Sequence, residues 1–425
     1  MEKFIRSFNS GDYDAELEDS LYSNQALTPT FLPTQASYNK PDNWVERNRN
    51  GLEIVKERLQ ICIDRWSHDR GFDLVLKYNN QWDPINEEPI VWHEPILDEY
   101  WNKLEAKIDR KKQLGIVTKM DHIEITNVEM KKEHLDPFVA IFISGRATNL
   151  SDTVHFDNVN LCGEGIISLS KLVDVSSKLR MLHLHHNRID NMDSARCLSR
   201  SLNLHHRITH LQLAHCDLGS SPEILSVILQ SDVRHINLSN NNIDSLGAVK
   251  IAEYLGDDPP IHRINLYDNR LNDDDAILIS QALKMNRNLT HLHLEGNDLT
   301  SIGVKVLLTS VYDGSSLNAI SQSNHTLQQF FQNSWMYLSI ASIGSCTENC
   351  KIVLALHDKD SLLKYLANVS MGLIPEVLAF PRWVFDQPHH EHLNIVYSTM
   401  RWWNMPMLYS YQIGVKSDAK RKRGV

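Results

Sequence analysis

Apolar residues return at fixed places within an eleven-residue phrase, which begins at Leu179, Ile208, Val233, Ile261 and Leu289. In every copy, positions one, four, six and eleven are Leu, Ile or Val, and position nine is Asn or Cys. The starts are 29, 25, 28 and 28 residues apart. Self-similarity at such a period predicts one structural unit repeated along the chain.

The stretches between the phrases have a helical pattern. After Ile243, for example, Leu246, Val249, Ala252 and Leu255 recur at intervals of three, which is typical of one helix face. Each unit is therefore predicted to be a short strand followed by a helix. Because strands stack more closely than helices, the parallel strands should form the concave inner face and the helices the outer ring.

Phrase, period and helical return together resemble the ribonuclease-inhibitor-like family of leucine-rich repeats, over about residues 120–327. The resemblance implies an α/β solenoid with a curved parallel inner sheet and outer helices. It also implies that the side chains at position nine form a hydrogen-bonded ladder, here Asn187, Cys216, Asn241, Asn269 and Asn297.

Degenerate copies extend the repeat at both ends. Val154 and Phe156 keep the apolar spacing one period earlier, and Ile123 and Ile125 do so two periods earlier. Counting forward by 28 predicts a further degenerate copy at Leu317. Terminal repeats are expected to be irregular because they close the core against water.

The composition divides the chain into five segments. Residues 1–43 form an acidic, Pro-containing segment that is expected to be disordered, and residues 44–119 form a helical N-terminal flank. The solenoid at 120–327 is followed by an aromatic-rich helical C-terminal cap at 328–412 and a basic tail at 413–425.

Charge and hydropathy limit the partners of this 425-residue chain. A net charge of −10 argues against nucleic-acid binding, which needs a basic face. No run of 18 apolar residues is present, so we expect no membrane span and a cytoplasmic location. Nuclear import through Lys420, Arg421, Lys422 and Arg423 is an alternative. The oligomeric state is left open.

No motif for phosphate cradling, zinc-dependent hydrolysis or a nucleophile elbow occurs in the sequence. We therefore expect a protein that is not an enzyme, with no cofactor and no metal site.

The strand residues between the apolar positions are the candidates for function. Positions three, five, seven and eight are predicted to line the concave face. They supply a set of fifteen candidate partner-binding residues: His183, His185, His186, His210, Gln212, His215, His235, Asn237, Arg263, Asn265, Tyr267, Asp268, His291, His293 and Glu295.

Nine of the 21 histidines of the chain fall on this surface once His155 is included. The pattern leaves three interpretations open: a half-exposed strand surface that needs hydrogen bonds, a partner surface whose charge depends on pH, or a metal site made from histidine pairs. His155 with His183, His186 with His215 and His210 with His235 occupy equal positions on adjacent strands. Mutual repulsion is predicted to lower some of their pKa values.

The sequence thus predicts an intracellular interaction protein that binds a protein partner on its concave face. Tyr267 and Arg263 are the first candidates, because Tyr and Arg are favoured residue types at binding hot spots. One alternative is a GTPase-activating or other regulatory protein for a small GTPase, with Arg188 and Arg270 at the rim. Another is a scaffold that docks its partner through the aromatic C-terminal region around Trp402 and Trp403.

Overall fold

The structure is a computed structural model that describes residues 44–65, 72–77, 91–113, 120–130, 132–143, 152–176, 178–205 and 207–328, with Glu348, Lys351, Ile352 and Ala355. The N-terminal segment, the basic tail with Lys420 to Arg423, and Trp402 and Trp403 lie outside the described residues. Within the described part, no helix combines the length and apolar character needed to cross a membrane.

Eight parallel strands form one open sheet in which spatial order follows chain order. The strands are β1 (Phe72–Lys77), β2 (Met120–Thr126), β3 (Thr153–Asp157), β4 (Met181–His183), β5 (His210–Gln212), β6 (His235–Asn237), β7 (Arg263–Asn265) and β8 (His291–His293). This parallel sheet with intervening helices confirms the predicted α/β leucine-rich-repeat solenoid.

A helix separates each pair of consecutive strands. The helices are α1 (Trp44–Arg65), α2 (Asp98–Gln113), α3 (Lys132–Ile143), α4 (Gly163–Val175), α5 (Met192–His205), α6 (Pro222–Leu229), α7 (Ser245–Gly256), α8 (Asp273–Met285), α9 (Ser301–Val311) and α10 (Leu317–Ser321). Two short 3-10 helices lie at Pro95–Leu97 and Leu218–Ser220.

The strand register aligns equal positions of successive repeats. Leu182 pairs with Leu211, and Ile264 pairs with Leu292. These position-four side chains are buried, as are the position-six side chains such as Leu184. Burying one apolar row against the helices is the main source of stability in such a fold, since each fully buried Leu contributes about 1.5–3 kcal/mol.

The position-nine side chains form the predicted ladder. The Oδ1 atom of Asn269 accepts hydrogen bonds from the backbone N–H groups of Asn241 and Ile243, both at 3.0 Å. Its Nδ2 atom donates to the carbonyls of Leu238 and Leu266, both also at 3.0 Å. Each Asn thereby satisfies backbone groups of its own repeat and of the preceding one.

The N-terminal flank is not purely helical, which corrects the sequence prediction. It contributes β1, which pairs with β2 and adds a strand to the sheet. Phe72, Leu74 and Leu76 alternate with polar or half-buried residues, and Leu74 and Leu76 are fully buried. This period of two is the signal that could have revealed the strand.

The predicted repeat start at Leu317 is wrong, because residues 317–321 form helix α10. The next unit resumes at Leu327 instead. The Oδ1 atom of Asn324 accepts from the backbone N–H of Leu327 at 2.7 Å, as that of Asn286 does from Leu289. The N–H of Gln328 then donates to the carbonyl of Thr290 at 2.8 Å. An insertion that contains α10 therefore displaces this repeat by ten residues.

Candidate functional site: the open face of the sheet

Strands β3 to β8 bury alternate residues, such as Val154 and Phe156 in β3 and Leu182 in β4, and leave the side chains between them on the opposite side. We call the side chains at positions three, five and seven of these repeats the open face. Position three contributes Thr153, Met181, His210, His235, Arg263 and His291, and position five contributes His155, His183, Gln212, Asn237, Asn265 and His293.

The register brings histidines of adjacent strands into contact, as the sequence predicted. The ring centroids of His155 and His183 are 4.0 Å apart, and those of His210 and His235 are 4.2 Å apart. Both pairs are stacked, with interplanar angles of 29° and 20°.

Several histidines of the open face have a lowered pKa. The pKa is lowered to about 4 for His183, His235 and His291, and burial is the largest cause for each. The next cause is the charge of His155 for His183, of His210 for His235 and of Arg263 for His291. The pKa values of His210 and His293 are lowered by burial and then by the charge of Arg263. Burial is thus a larger cause than the mutual repulsion that the sequence suggested.

Position eight lies in a turn beyond the strand rather than on the strand face. Its residues are Asn158, His186, His215, Asn240, Asp268 and Gly296, and all have a positive φ, between 52° and 73°. Asn, Asp, His and Gly are the residue types that tolerate this left-handed conformation. Adjacent residues of a strand point to opposite faces, so positions seven and eight cannot both lie on the open face. The presence of His at positions 186 and 215 is explained by the positive φ of the backbone there. Their rings stack with centroids 4.2 Å apart, and burial lowers the pKa of His215 to about 3.

Several other candidates hold the backbone at position seven. Asp157 Oδ1 accepts from the N–H of His185 at 3.0 Å, and the Nδ1 atom of His185 accepts from the N–H of Ala214 at 3.1 Å. Asn237 accepts from the N–H of Ser239 at 3.0 Å, and Asn265 accepts from the N–H of Tyr267 at 2.9 Å. These four polar side chains therefore have a structural role.

Arg263 and Tyr267 differ from the rest of the open face in exposure. Arg263 is exposed where the equivalent residues of the other strands are half-buried, and 41% of Tyr267 is accessible. Arg263 lies between His235 and His291 in the register. Two acidic residues, Asp268 and Glu295, lie past the strand ends, and burial raises the pKa of each carboxyl group.

One trio on the open face has metal-binding residue types. The ligand atoms of His155, Asp157 and His183 lie within 4.8 Å of one another. The His155 Nδ1 to Asp157 Oδ2 distance is 3.6 Å. The two imidazole rings of this trio are stacked. Asp157 already accepts the N–H of His185.

The arginines of the GTPase alternative show no special arrangement. Arg188 Nε lies 4.0 Å from Asp190 Oδ2, so an internal carboxylate already faces that charge. Arg270 is exposed, and its backbone N–H donates to the carbonyl of Ile243. No feature of the described residues favours this alternative.

Comparisons with known proteins find the same repeat. A family model described as Leucine Rich repeat matches residues 231–252 and 286–308. The chain is 31% identical over 139 residues to mouse (Mus musculus) NACHT, LRR and PYD domains-containing protein 4E. That match covers 30% of this chain and only 13% of the mouse protein. The chain therefore contains leucine-rich repeats.

Among solved structures, an internalin C2 from Listeria monocytogenes shares 15% sequence identity over 41% of this chain and 78% of that chain, with a TM-score of 0.21. The architecture rests on the strand register and the asparagine ladder.

Proposed function

We propose that this protein binds a protein partner on the open face, with Tyr267 and Arg263 at the centre of the contact. The observation that carries the proposal is that these two side chains are exposed on a surface whose other polar residues are largely engaged or half-buried. Leucine-rich-repeat proteins commonly mediate protein–protein interaction, and a solenoid offers a large preformed surface for it.

Hydrogen bonds hold the backbone of Tyr267 through both its N–H and its carbonyl group. Its N–H donates to Asn265 Oδ1 at 2.9 Å, and its carbonyl accepts from the N–H of Asn240 at 2.9 Å. A side chain on such a fixed backbone loses little conformational entropy when it binds. A large aromatic ring also supplies much contact area, which suits a hot spot.

Arg263 supplies an exposed positive charge on this surface. The pKa of about 4 at His235 and His291 leaves both imidazoles neutral at pH 7, so the guanidinium stands between two uncharged rings. The complementary group on a partner is a carboxylate, which a guanidinium can bind through two hydrogen bonds. We therefore expect the partner to place an acidic side chain over Arg263 and an apolar group against Tyr267.

The test compares two double variants of the full chain. Tyr267→Ala with Arg263→Ala removes the proposed centre, and Arg200→Ala with Leu246→Ala removes exposed residues of α5 and α7 as a matched control. Proteins recovered by affinity purification are quantified for wild type and both variants. A photo-crosslinking residue is then placed at position 267 or at position 246.

We expect the partner to be recovered by wild type and by the control, and to be reduced more than tenfold with the first variant, since a hot-spot residue contributes about 2 kcal/mol or more. Crosslinks should form from position 267 and not from position 246. Equal recovery by both double variants, at equal circular-dichroism melting temperatures, would refute the proposal.

A further inference from the structure

A second group of metal-binding residue types lies at the junction of the N-terminal flank and the first helix of the solenoid. His93 precedes the 3-10 helix at Pro95–Leu97, Asp98 is the first residue of α2, and His134 lies in the first turn of α3. The Nε2 atom of His93 is 2.7 Å from Asp98 Oδ1 and 3.2 Å from the Nε2 atom of His134. His134 Nε2 is 3.5 Å from the same carboxylate oxygen.

The backbone of His93 is fixed by the repeats. Its N–H donates to Glu129 Oε2 at 2.8 Å, and the preceding Val91 exchanges backbone hydrogen bonds of 2.9 Å with Asn127 and Glu129. On the other side, the ring of Trp101 lies parallel to His134, with centroids 5.8 Å apart and an interplanar angle of 15°. The ligand atoms are therefore positioned by packing before any ion binds.

The distances fit a tetrahedral ion. Zinc binds His nitrogen and carboxylate oxygen at about 2.0–2.2 Å, which places neighbouring ligand atoms about 3.4 Å apart. The separations of 3.2 and 3.5 Å are close to this value, whereas the 2.7 Å separation requires Asp98 Oδ1 to move about 0.7 Å away from His93 Nε2. Its side chain is 45% exposed and has room to move.

The chemistry of the contact also favours a cation. Two Nε2 atoms at 3.2 Å cannot both keep their protons pointed at each other, and a carboxylate oxygen faces both. A divalent ion would satisfy all three atoms at once. Two imidazoles and one carboxylate suit zinc, whereas calcium and magnesium prefer oxygen ligands only.

The burial of the three side chains differs, which fixes the two histidines and leaves a route by which an ion can enter. The side chain of His93 is 4% exposed and that of His134 is 13% exposed, whereas Asp98 faces solvent. An ion can enter beside Asp98, and water can occupy the fourth position. The rings of His93 and His134 have centroids 4.2 Å apart and an interplanar angle of 37°, so both rings must rotate to direct their Nε2 lone pairs at one ion. The trio on the open face differs in its carboxylate, which already accepts a backbone N–H.

We propose that His93, Asp98 and His134 form a zinc site that fastens the N-terminal flank to helix α3 of the solenoid. His93 and Asp98 belong to the flank, and His134 belongs to the solenoid. The bound ion crosslinks them across 36 residues of chain (134−98).

The experiment uses the full, tag-free chain stripped of metal. Zinc is titrated in competition with a chromogenic chelator, and cobalt is added separately to record the visible absorption of a tetrahedral ion. The variants are His134→Gln and Asp98→Asn, which keep side-chain size. The control is His155→Gln, which removes a histidine of the open-face trio.

We expect one tightly bound zinc per wild-type chain and a higher melting temperature with zinc. Both site variants should lose at least about 100-fold in affinity, since even outer-shell partners are worth about 10–100-fold. His155→Gln should retain the wild-type affinity and cobalt spectrum. The proposal is overturned if wild type binds no zinc under competition, if both site variants bind it normally, or if His155→Gln abolishes it.

Discussion

The two halves of the solenoid use different side chains to accept the hydrogen bond of the backbone N–H at position seven. In the half that contains β3, β4 and β5, the N–H at position seven is satisfied by a position-seven side chain of the preceding repeat, Asp157 or His185. In the half that contains β6 to β8, the Asn at position five of the same repeat does this, as Asn237 and Asn265 show.

This difference bears on the proposed contact with a partner. Where Asp157 and His185 hold the backbone, their side chains are committed to the scaffold. Where Asn265 performs that task, position seven of the same repeat is released and carries the exposed Tyr267. The equivalent surface position therefore has a structural role in one half and an available aromatic ring in the other.

The two halves also differ in the side chains that form the ladder at position nine. Asn241, Asn269 and Asn297 hold the second half, whereas Cys216 interrupts the first half with a thiol that donates to the carbonyl of Leu184 at 3.2 Å. A thiol is a weak donor and offers no strong acceptor for the neighbouring N–H groups. The ladder of the second half should therefore contribute more stability per residue.

The largest predicted effect tests this difference in the ladder. Asn269→Ala leaves two N–H groups and three carbonyls without their side-chain partner, in a buried position. It should reduce the free energy of unfolding by about 3 kcal/mol. Cys216→Ala should cost only about 1 kcal/mol, because the thiol makes weak hydrogen bonds. Urea denaturation measures both, and equal losses would contradict the contrast.

An intermediate effect should be equal in both halves. His215 and Asp268 have φ values of 57° and 52°, so a β-branched residue at either position forces an unfavourable left-handed backbone. We expect His215→Val and Asp268→Val to cost about 1–2 kcal/mol each. The controls His215→Asn and Asp268→Asn should remain near wild type, since Asn tolerates this conformation. Urea denaturation again gives the comparison, and a loss confined to one half would show that the turns differ.

The smallest effect concerns pH. The folded protein holds the pKa of His235 at about 4, below its ordinary value of 6.5, mainly through burial. Between these values the unfolded chain binds more protons than the folded chain, so stability is complete above pH 6.5 and is lost as the pH falls towards 4. Because the ring is half-exposed, we expect a loss of about 1 kcal/mol from this residue between pH 7 and pH 4.5.

The matching variant is His235→Gln, which should make the loss of stability with falling pH shallower. The control variant is Gln212→Ala. The amide of Gln212 does not titrate, so this variant should keep the pH dependence of wild type. The measurement is the free energy of urea unfolding at a series of pH values. An unchanged slope in His235→Gln would contradict the lowered pKa.

The sequence by itself determined the repeat and the sheet order, and its resemblance to a known repeat family implied the ladder. Apolar positions one, four, six and eleven can be buried together only if successive phrases stack in register, so Leu182 and its counterparts identify the core directly. The equal spacing also fixed the histidine pairs, because equal positions of adjacent parallel strands are neighbours. Local periodicity is sufficient for these features, since each repeat contacts mainly the next one.

Only the tertiary structure decided the rest. The sequence did not show that α10 displaces the last repeat, because the matching roles of Asn286 and Asn324 are visible only in their hydrogen bonds. It gave no sign that His93, Asp98 and His134 meet, since residues 41 positions apart have no common period. The roles of His185 and Asn265 depend on where their acceptor atoms lie relative to backbone N–H groups. Such contacts depend on distances and directions in space, which a one-dimensional pattern of residue types does not specify.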